Sequence, residues 1–245
     1  MKPTIAVFDF DGTLSNGECG LRFFRYLLGE KHFYHFILRN AFWNLLYLSK
    51  FKDEYALNKI TRSVFKDRKV EEVSQIAHDF STEVMPLHLY EKIIERLVWH
   101  QAQGHRNIII TRSFDIYMNP WAKQVVINDM IATKLEVNEN GLFTGKIANH
   151  SYVGEKKLQA LQELVGTDND TSYAYADSAS DRYILAAADY AYWIRNSNAD
   201  VENALVDSKT HIQWKKECGL QNKRVTAVLA SIGSGKTSWS MLREE

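Results

Sequence analysis

The chain has 245 residues, 45% of them hydrophobic, which suits one large domain or a core with an inserted subdomain and excludes a disordered polymer. Lysine plus arginine match aspartate plus glutamate at 30 each, which removes any global electrostatic case for binding nucleic acid. The two cysteines, Cys19 and Cys218, form no metal-ligand spacing or disulfide framework and suit a reducing cytoplasm, and the apolar run Thr4 to Phe10 is too short for a signal peptide.

Thr4 to Phe8 (TIAVF) is short, apolar and β-branched, the pattern of a buried strand. No strand pattern follows for almost a hundred residues. Leu14 to Met85 reads as a helical subdomain, a cap, and Pro86 marks the return to the core. Inside the cap, Phe33 to Phe51 is largely aromatic and aliphatic, but Arg39, Asn40 and Asn44 make it a poor membrane span. Two readings fit: helices packing within the cap, or a lipid-facing surface giving peripheral membrane contact, flanked by Lys31, Arg39, Lys50 and Lys52.

A helical pattern over Leu89 to Gln103 precedes a strand at Arg106 to Thr111 (RNIIIT). A second helix at Leu158 to Val165 precedes strands at Thr171 to Ala176 and Tyr190 to Ile194. This alternation predicts an α/β, Rossmann-like parallel sheet with helices on both faces, its ligands at the carboxyl ends of the strands. The expected division is a core of residues 1–13 and 86–215, a cap of 14–85, and a poorly ordered tail of 216–245. In that tail Ala230 to Thr237 fits a loose P-loop, with Ala230 where the first glycine belongs. Nucleotide binding through GSGKT is thus an alternative function, although the eight residues after Thr237 leave no room for a second acidic strand.

The chemistry concentrates after the first strand, in FDFDGTL. Asp9 and Asp11 are two apart in extended chain, so both project to one side, and Gly12 permits a sharp turn. Two carboxylates so close repel unless a cation intervenes, and a hard dication such as Mg²⁺ fits. One carboxylate can then attack while the other shuttles a proton.

FDFDGTL resembles the first signature of the haloacid dehalogenase superfamily of phosphohydrolases, and SFDIYMNPWAKQ and GLFTGKIANHSYVGEKKLQAL resemble its phosphoserine phosphatase-like subfamily. The resemblance implies Asp9 as nucleophile, Asp11 as acid and base, and an aspartyl-phosphate intermediate. It implies Mg²⁺ held by Asp9, the Asp11 carbonyl and Asp177, with Asp181 supporting from behind. Thr111 would donate to a phosphoryl oxygen; Glu18, Arg112 and Ser113 would contact substrate, Arg112 standing where relatives often have a small residue. Ala176 replaces the glycine of the usual GDSxxD pattern in YAYADSASD. Either Lys156 or Lys157 would neutralise the phosphate. Lys157 is the choice, because it lies beside the face formed by Leu158, Leu161, Leu164 and Val165, whereas Lys156 joins Ala160 and Glu163 towards solvent. The implied substrate is a small phosphomonoester such as a phosphoserine-like compound, with Glu18 reading an ammonium and Lys59 or Arg62 a carboxylate. The aromatic cap keeps a lipid phosphate as the alternative.

Overall fold

The computed structural model describes residues 3–43, 53–149, 152–166, 171–194 and 201–220. Residues 44–51 of the aromatic stretch and the GSGKT segment lie outside the described residues.

β1 (Ile5–Phe8) pairs in parallel with β2 (Arg106–Phe114) on one side and β6 (Ser172–Ala176) on the other. β3 (Asp129–Thr133) and β7 (Tyr190–Trp193) complete a five-stranded sheet in the order β3-β2-β1-β6-β7. The chain thus moves outward from β1 to β3, then returns to the opposite side of β1. Such a reversal opens a crevice beyond the carboxyl end of the central strand.

Alternation along β1 sends Ala6 and Phe8 to one apolar cluster and Ile5 and Val7 to another. The second face is covered by α7 (Glu155–Val165), through Leu158 and Leu161, and by α8 (Arg182–Ala187), through Ile184 and Leu185. The first face packs against α5 (Glu91–Ala102), through Ile93 and Leu97, and against α6 (Asp115–Gln124), through Tyr117, Met118 and Trp121.

The segment between β1 and β2 is helical as expected. It holds α1 (Cys19–Leu28), α2 (Glu30–Arg39), α3 (Asp53–Phe65) and α4 (Val70–Asp79), followed by a π turn at Phe80–Val84. The chain leaves and re-enters the core along one track, since Tyr90 N–H donates to Leu14 O and Asn16 N–H to His88 O. Phe23, Phe24, Phe65 and Phe80 join the same cluster as Phe8 and Phe10, so the insert shares its apolar core with one face of the sheet. The aromatic stretch divides along its described part. Phe36 is buried with its ring edge-on to Phe24 at 5.8 Å, whereas Tyr34, Leu38 and Phe42 face outward. No described helix is long and apolar enough to cross a membrane.

A hairpin of β4 (Leu135–Val137) and β5 (Phe143–Ile147) was not legible in the sequence. It lies on α3. Gly145 has φ +79°, and a Cβ there would meet the Arg62 Cα at 2.8 Å. Helix α9 (Ser208–Glu217), capped by Asp207, closes the described chain.

Candidate active site

β1 ends at Phe8, which places Asp9 at the crevice between β2 and β6. The next residues turn back sharply: the N–H groups of Thr13, Leu14 and Ser15 all donate to Phe10 O. Gly12 is needed twice over. Its φ is +83°, and a Cβ would stand 2.3 Å from Asp177 Oδ2. Thr13 Oγ1 donates to Asp177 Oδ1 at 3.2 Å, fastening this turn to the end of β6.

Lys157 is buried in the first turn of α7, while Lys156 is exposed. Its ammonium donates to Asp9 Oδ1 at 2.7 Å and to Asp181 Oδ1 at 2.5 Å. Burial would lower the Lys157 pKa, but the charges of Asp9 and Asp181 hold it above its ordinary value. Burial, with Asp181 and Asp177 nearby, pushes Asp9 well up against the opposing pull of Lys157. Asp177 is pushed up by burial and by Asp181.

The Asp11 carboxylate has a different environment. Oδ1 accepts from the Cys19 N–H at 2.7 Å, serving the first turn of α1, whose cap residue Glu18 makes no side-chain cap bond. Oδ2 accepts from Ser113 Oγ at 2.5 Å, and Ser113 Oγ in turn accepts from the buried Tyr117 hydroxyl at 2.8 Å. Burial and the Glu18 charge push Asp11 up to about 6, against the hydrogen bonds from Ser113 and Cys19.

These residues open on one cavity of about 540 Å³, which Thr111, Arg112, Ser113 and Glu18 also line. Thr111 is buried and its Oγ1 accepts from the Ser113 N–H at 3.0 Å. Lys59 and Arg62 do not line the cavity: Lys59 lies over the Tyr55 and Trp43 rings, and Arg62 backs the β5 glycine.

Asp9, Asp177 and Asp181 each present a carboxylate oxygen, all within 4.8 Å of one another. Three carboxylates against one ammonium, with oxygen donors throughout, suit a hard dication. Asp181 lies in this group, with Oδ1 accepting from Lys157 and Oδ2 from Ser178. The Asp11 carboxylate is turned to Cys19 and Ser113.

Residues 6–186 match the family model of haloacid dehalogenase-like hydrolases. The chain belongs to that family. It is 25% identical over 190 residues to Protein CicA of Caulobacter vibrioides strain NA1000 / CB15N, a match spanning 77% of this chain and 84% of the relative. It is 23% identical over 195 residues to a histidinol-phosphatase of Neisseria meningitidis serogroup C strain 8013, spanning 74% and 85%. Among solved structures, a Bordetella pertussis Tohama I protein of unknown function shares the fold with a TM-score of 0.66 at 22% identity, over 77% of this chain and 88% of that one. A phospho-aspartyl intermediate analogue of phosphoserine phosphatase superposes with a TM-score of 0.54 at 19% identity, over 77% and 84%.

Within this family fold, sequence reasoning missed Tyr117 and the helix residues that wall the cavity. Tyr117 had one available signal, its spacing of four from Ser113. The wall residues had none, because Leu21, Phe24, Leu57 and Ile60 read simply as core positions of amphipathic helices.

Proposed function

We propose that this hydrolase is a Mg²⁺-dependent phosphatase that cleaves phosphate monoesters through a phosphorylated Asp9. The observation that carries the reading is the convergence of Asp9, Asp11, Lys157, Asp177 and Asp181 on one cavity at the end of β1. The names of the histidinol-phosphatase relative and of the phosphoserine phosphatase structure support the same reaction class. The two free cysteines, one of them buried, accord with work in a reducing cytoplasm.

In the first half-reaction a carboxylate oxygen of Asp9 attacks phosphorus and the ester oxygen departs opposite to it. Asp11, pushed up to about 6 by burial and Glu18, keeps a protonated fraction near neutral pH, and that form delivers its proton to the departing alkoxide. In the second half-reaction Asp11, now ionised, takes a proton from the water that attacks the aspartyl-phosphate. Inorganic phosphate leaves and Asp9 is regenerated. Lys157 holds Asp9 in place and offsets negative charge at the phosphoryl oxygens. Asp9, Asp177 and Asp181 would hold Mg²⁺, which when bound neutralises phosphoryl charge.

Purified protein and p-nitrophenyl phosphate test this. Wild type should turn over with Mg²⁺ and fall silent in EDTA. Asp9→Asn, nearly isosteric, should retain the fold and lose more than about a hundredfold in kcat. Turnover by Asp9→Asn close to wild type would rule the nucleophile out.

A further inference from the structure

We propose that the alcohol released by this enzyme is apolar: the substrates are phosphate monoesters of aliphatic or aromatic alcohols, with the hydrocarbon seated against the inserted helices. The inference rests on the phosphatase reading and specifies its substrate class.

The cavity lining has two chemically distinct sources. Asp9, Asp11, Lys157, Asp177 and Asp181 come from the strand ends and the first turn of α7, whereas Leu21, Phe24, Ile37, Leu57 and Ile60 come from the inserted helices, with Phe114 from β2. Leu21 and Phe24 are three apart on α1, as are Leu57 and Ile60 on α3, so each helix presents one apolar ridge to the same space. At about 540 Å³ the cavity falls in the roughly 300–1,000 Å³ range of sites that enclose ligands far larger than a phosphate.

The charges near this wall are placed elsewhere. Lys59 lies between Leu57 and Ile60 in sequence, yet its ammonium lies over the rings of Tyr55 and Trp43, 5.1 and 5.9 Å from their centres. Arg22 donates to Asn16, and Arg25 pairs with Glu30. Among the described residues, α1, α2 and α3 thus contribute no cation to the cavity lining. Glu18 does line it, but it precedes Cys19, whose N–H donates to Asp11, so it stands beside the charged residues. Arg112 reaches the lining from β2. A carboxylate seated against α1 and α3 would face leucine, isoleucine and phenylalanine and lose hydration without return there, leaving Arg112 on the β2 side as the cation that could meet one. A hydrocarbon gains against the same helices.

The test uses the full-length protein with Mg²⁺ and linear alkyl phosphates from methyl to octyl, beside phosphoserine and glycerol phosphate. kcat/KM should rise by roughly threefold per methylene until the wall is covered, and hexyl phosphate should exceed phosphoserine by more than about tenfold. A flat series, or phosphoserine ahead of hexyl phosphate, would overturn the proposal. Leu21 is 38% exposed, so a polar side chain there keeps access to water. Leu21→Asp should lower the ratio of hexyl to glycerol phosphate hydrolysis about tenfold, and Leu21→Met should keep it. An unchanged ratio in a folded Leu21→Asp would count against the wall. Dodecyl phosphate in mixed micelles separates a lipid source from a soluble one, and rapid hydrolysis of either supports an apolar alcohol.

Binding reads the wall without turnover. Hexylphosphonate should raise Tm more than 2-amino-3-phosphonopropionate at equal concentration; the reverse order would overturn the proposal. A protein that hydrolyses none of these esters defeats the phosphatase reading, and the phosphonate ranking still decides the chemistry of the cavity.

Discussion

Lys157 and Asp9, 148 residues apart in sequence, meet at 2.7 Å with both side chains almost fully enclosed. The same ammonium holds Asp181, so one cation keeps two buried carboxylates together. Removing one partner of such a group leaves buried charge uncompensated, at about 3–5 kcal/mol. Lys157→Met keeps the stem and deletes the charge. It should lower stability to urea measurably in chelator and reduce kcat at least about a hundredfold. Wild-type turnover in this variant would show that Lys157 serves only to pack α7.

Gly12 sets a second relationship, between the turn after β1 and Asp177. Gly12→Ala combines positive-φ strain of about 1 kcal/mol with a Cβ 2.3 Å from the Asp177 carboxylate. The carboxylate must move, so the Mg²⁺ concentration giving half-maximal activity should rise several-fold. Gly29→Ala is the control, because Gly29 has φ +72° and nothing within 4 Å of a built Cβ. It should lower Tm modestly and leave the metal requirement alone. Equal metal effects in both variants would refute the contact argument.

Much of this site was legible because its residues sit in local patterns. Asp9 and Asp11 follow an uninterrupted apolar strand, and Lys157 borders the buried face of an amphipathic helix. The central strands β1, β2 and β6 were readable for the same reason: sheets covered on both faces demand continuous apolar runs. Strand β3 was not, since Asp129, Met130 and Ile131 are only half-buried at the sheet's edge. Neither were β4 and β5, whose short LEV and FTGKI segments gain their places from α3 rather than from their own pattern. The Asp11–Ser113 hydrogen bond joins residues 102 apart, and only the fold brings them together.

Tyr117 tests that last link. Its hydroxyl donates to Ser113 Oγ, which is thereby oriented to donate to Asp11. Tyr117→Phe retains the ring packed against Phe23 and Phe80 and removes one buried hydrogen bond, worth about 1 kcal/mol. kcat should fall by roughly fivefold with KM nearly unchanged, and Ser113→Ala should fall further. A change confined to KM would place Ser113 against the substrate instead, the role the sequence suggested.

His100 is fully buried, its ring edge-on to Phe8, the residue before Asp9. Its Nε2 pairs with the Tyr175 hydroxyl at 2.9 Å and its Nδ1 with His105 Nδ1 at 2.7 Å. Burial lowers its pKa to about 3, and the nearby His105 and Arg96 act in the same direction. An unfolded histidine titrates near 6.5, so between about 6.5 and 3 the unfolded chain binds a proton that the folded chain refuses. His100 therefore costs no stability above about pH 7.5 and progressively more as pH falls through 6.5. Asp11 acts in the opposite sense, because its raised value favours the folded state as pH drops towards 4. The difference between wild type and His100→Gln isolates the imidazole from such carboxylates. Between pH 7.5 and 5.0, wild type should lose about 2 kcal/mol more than the variant in urea unfolding. Parallel pH profiles for the two proteins would show that His100 titrates alike in the folded and unfolded chains, against what its burial between Tyr175 and His105 requires.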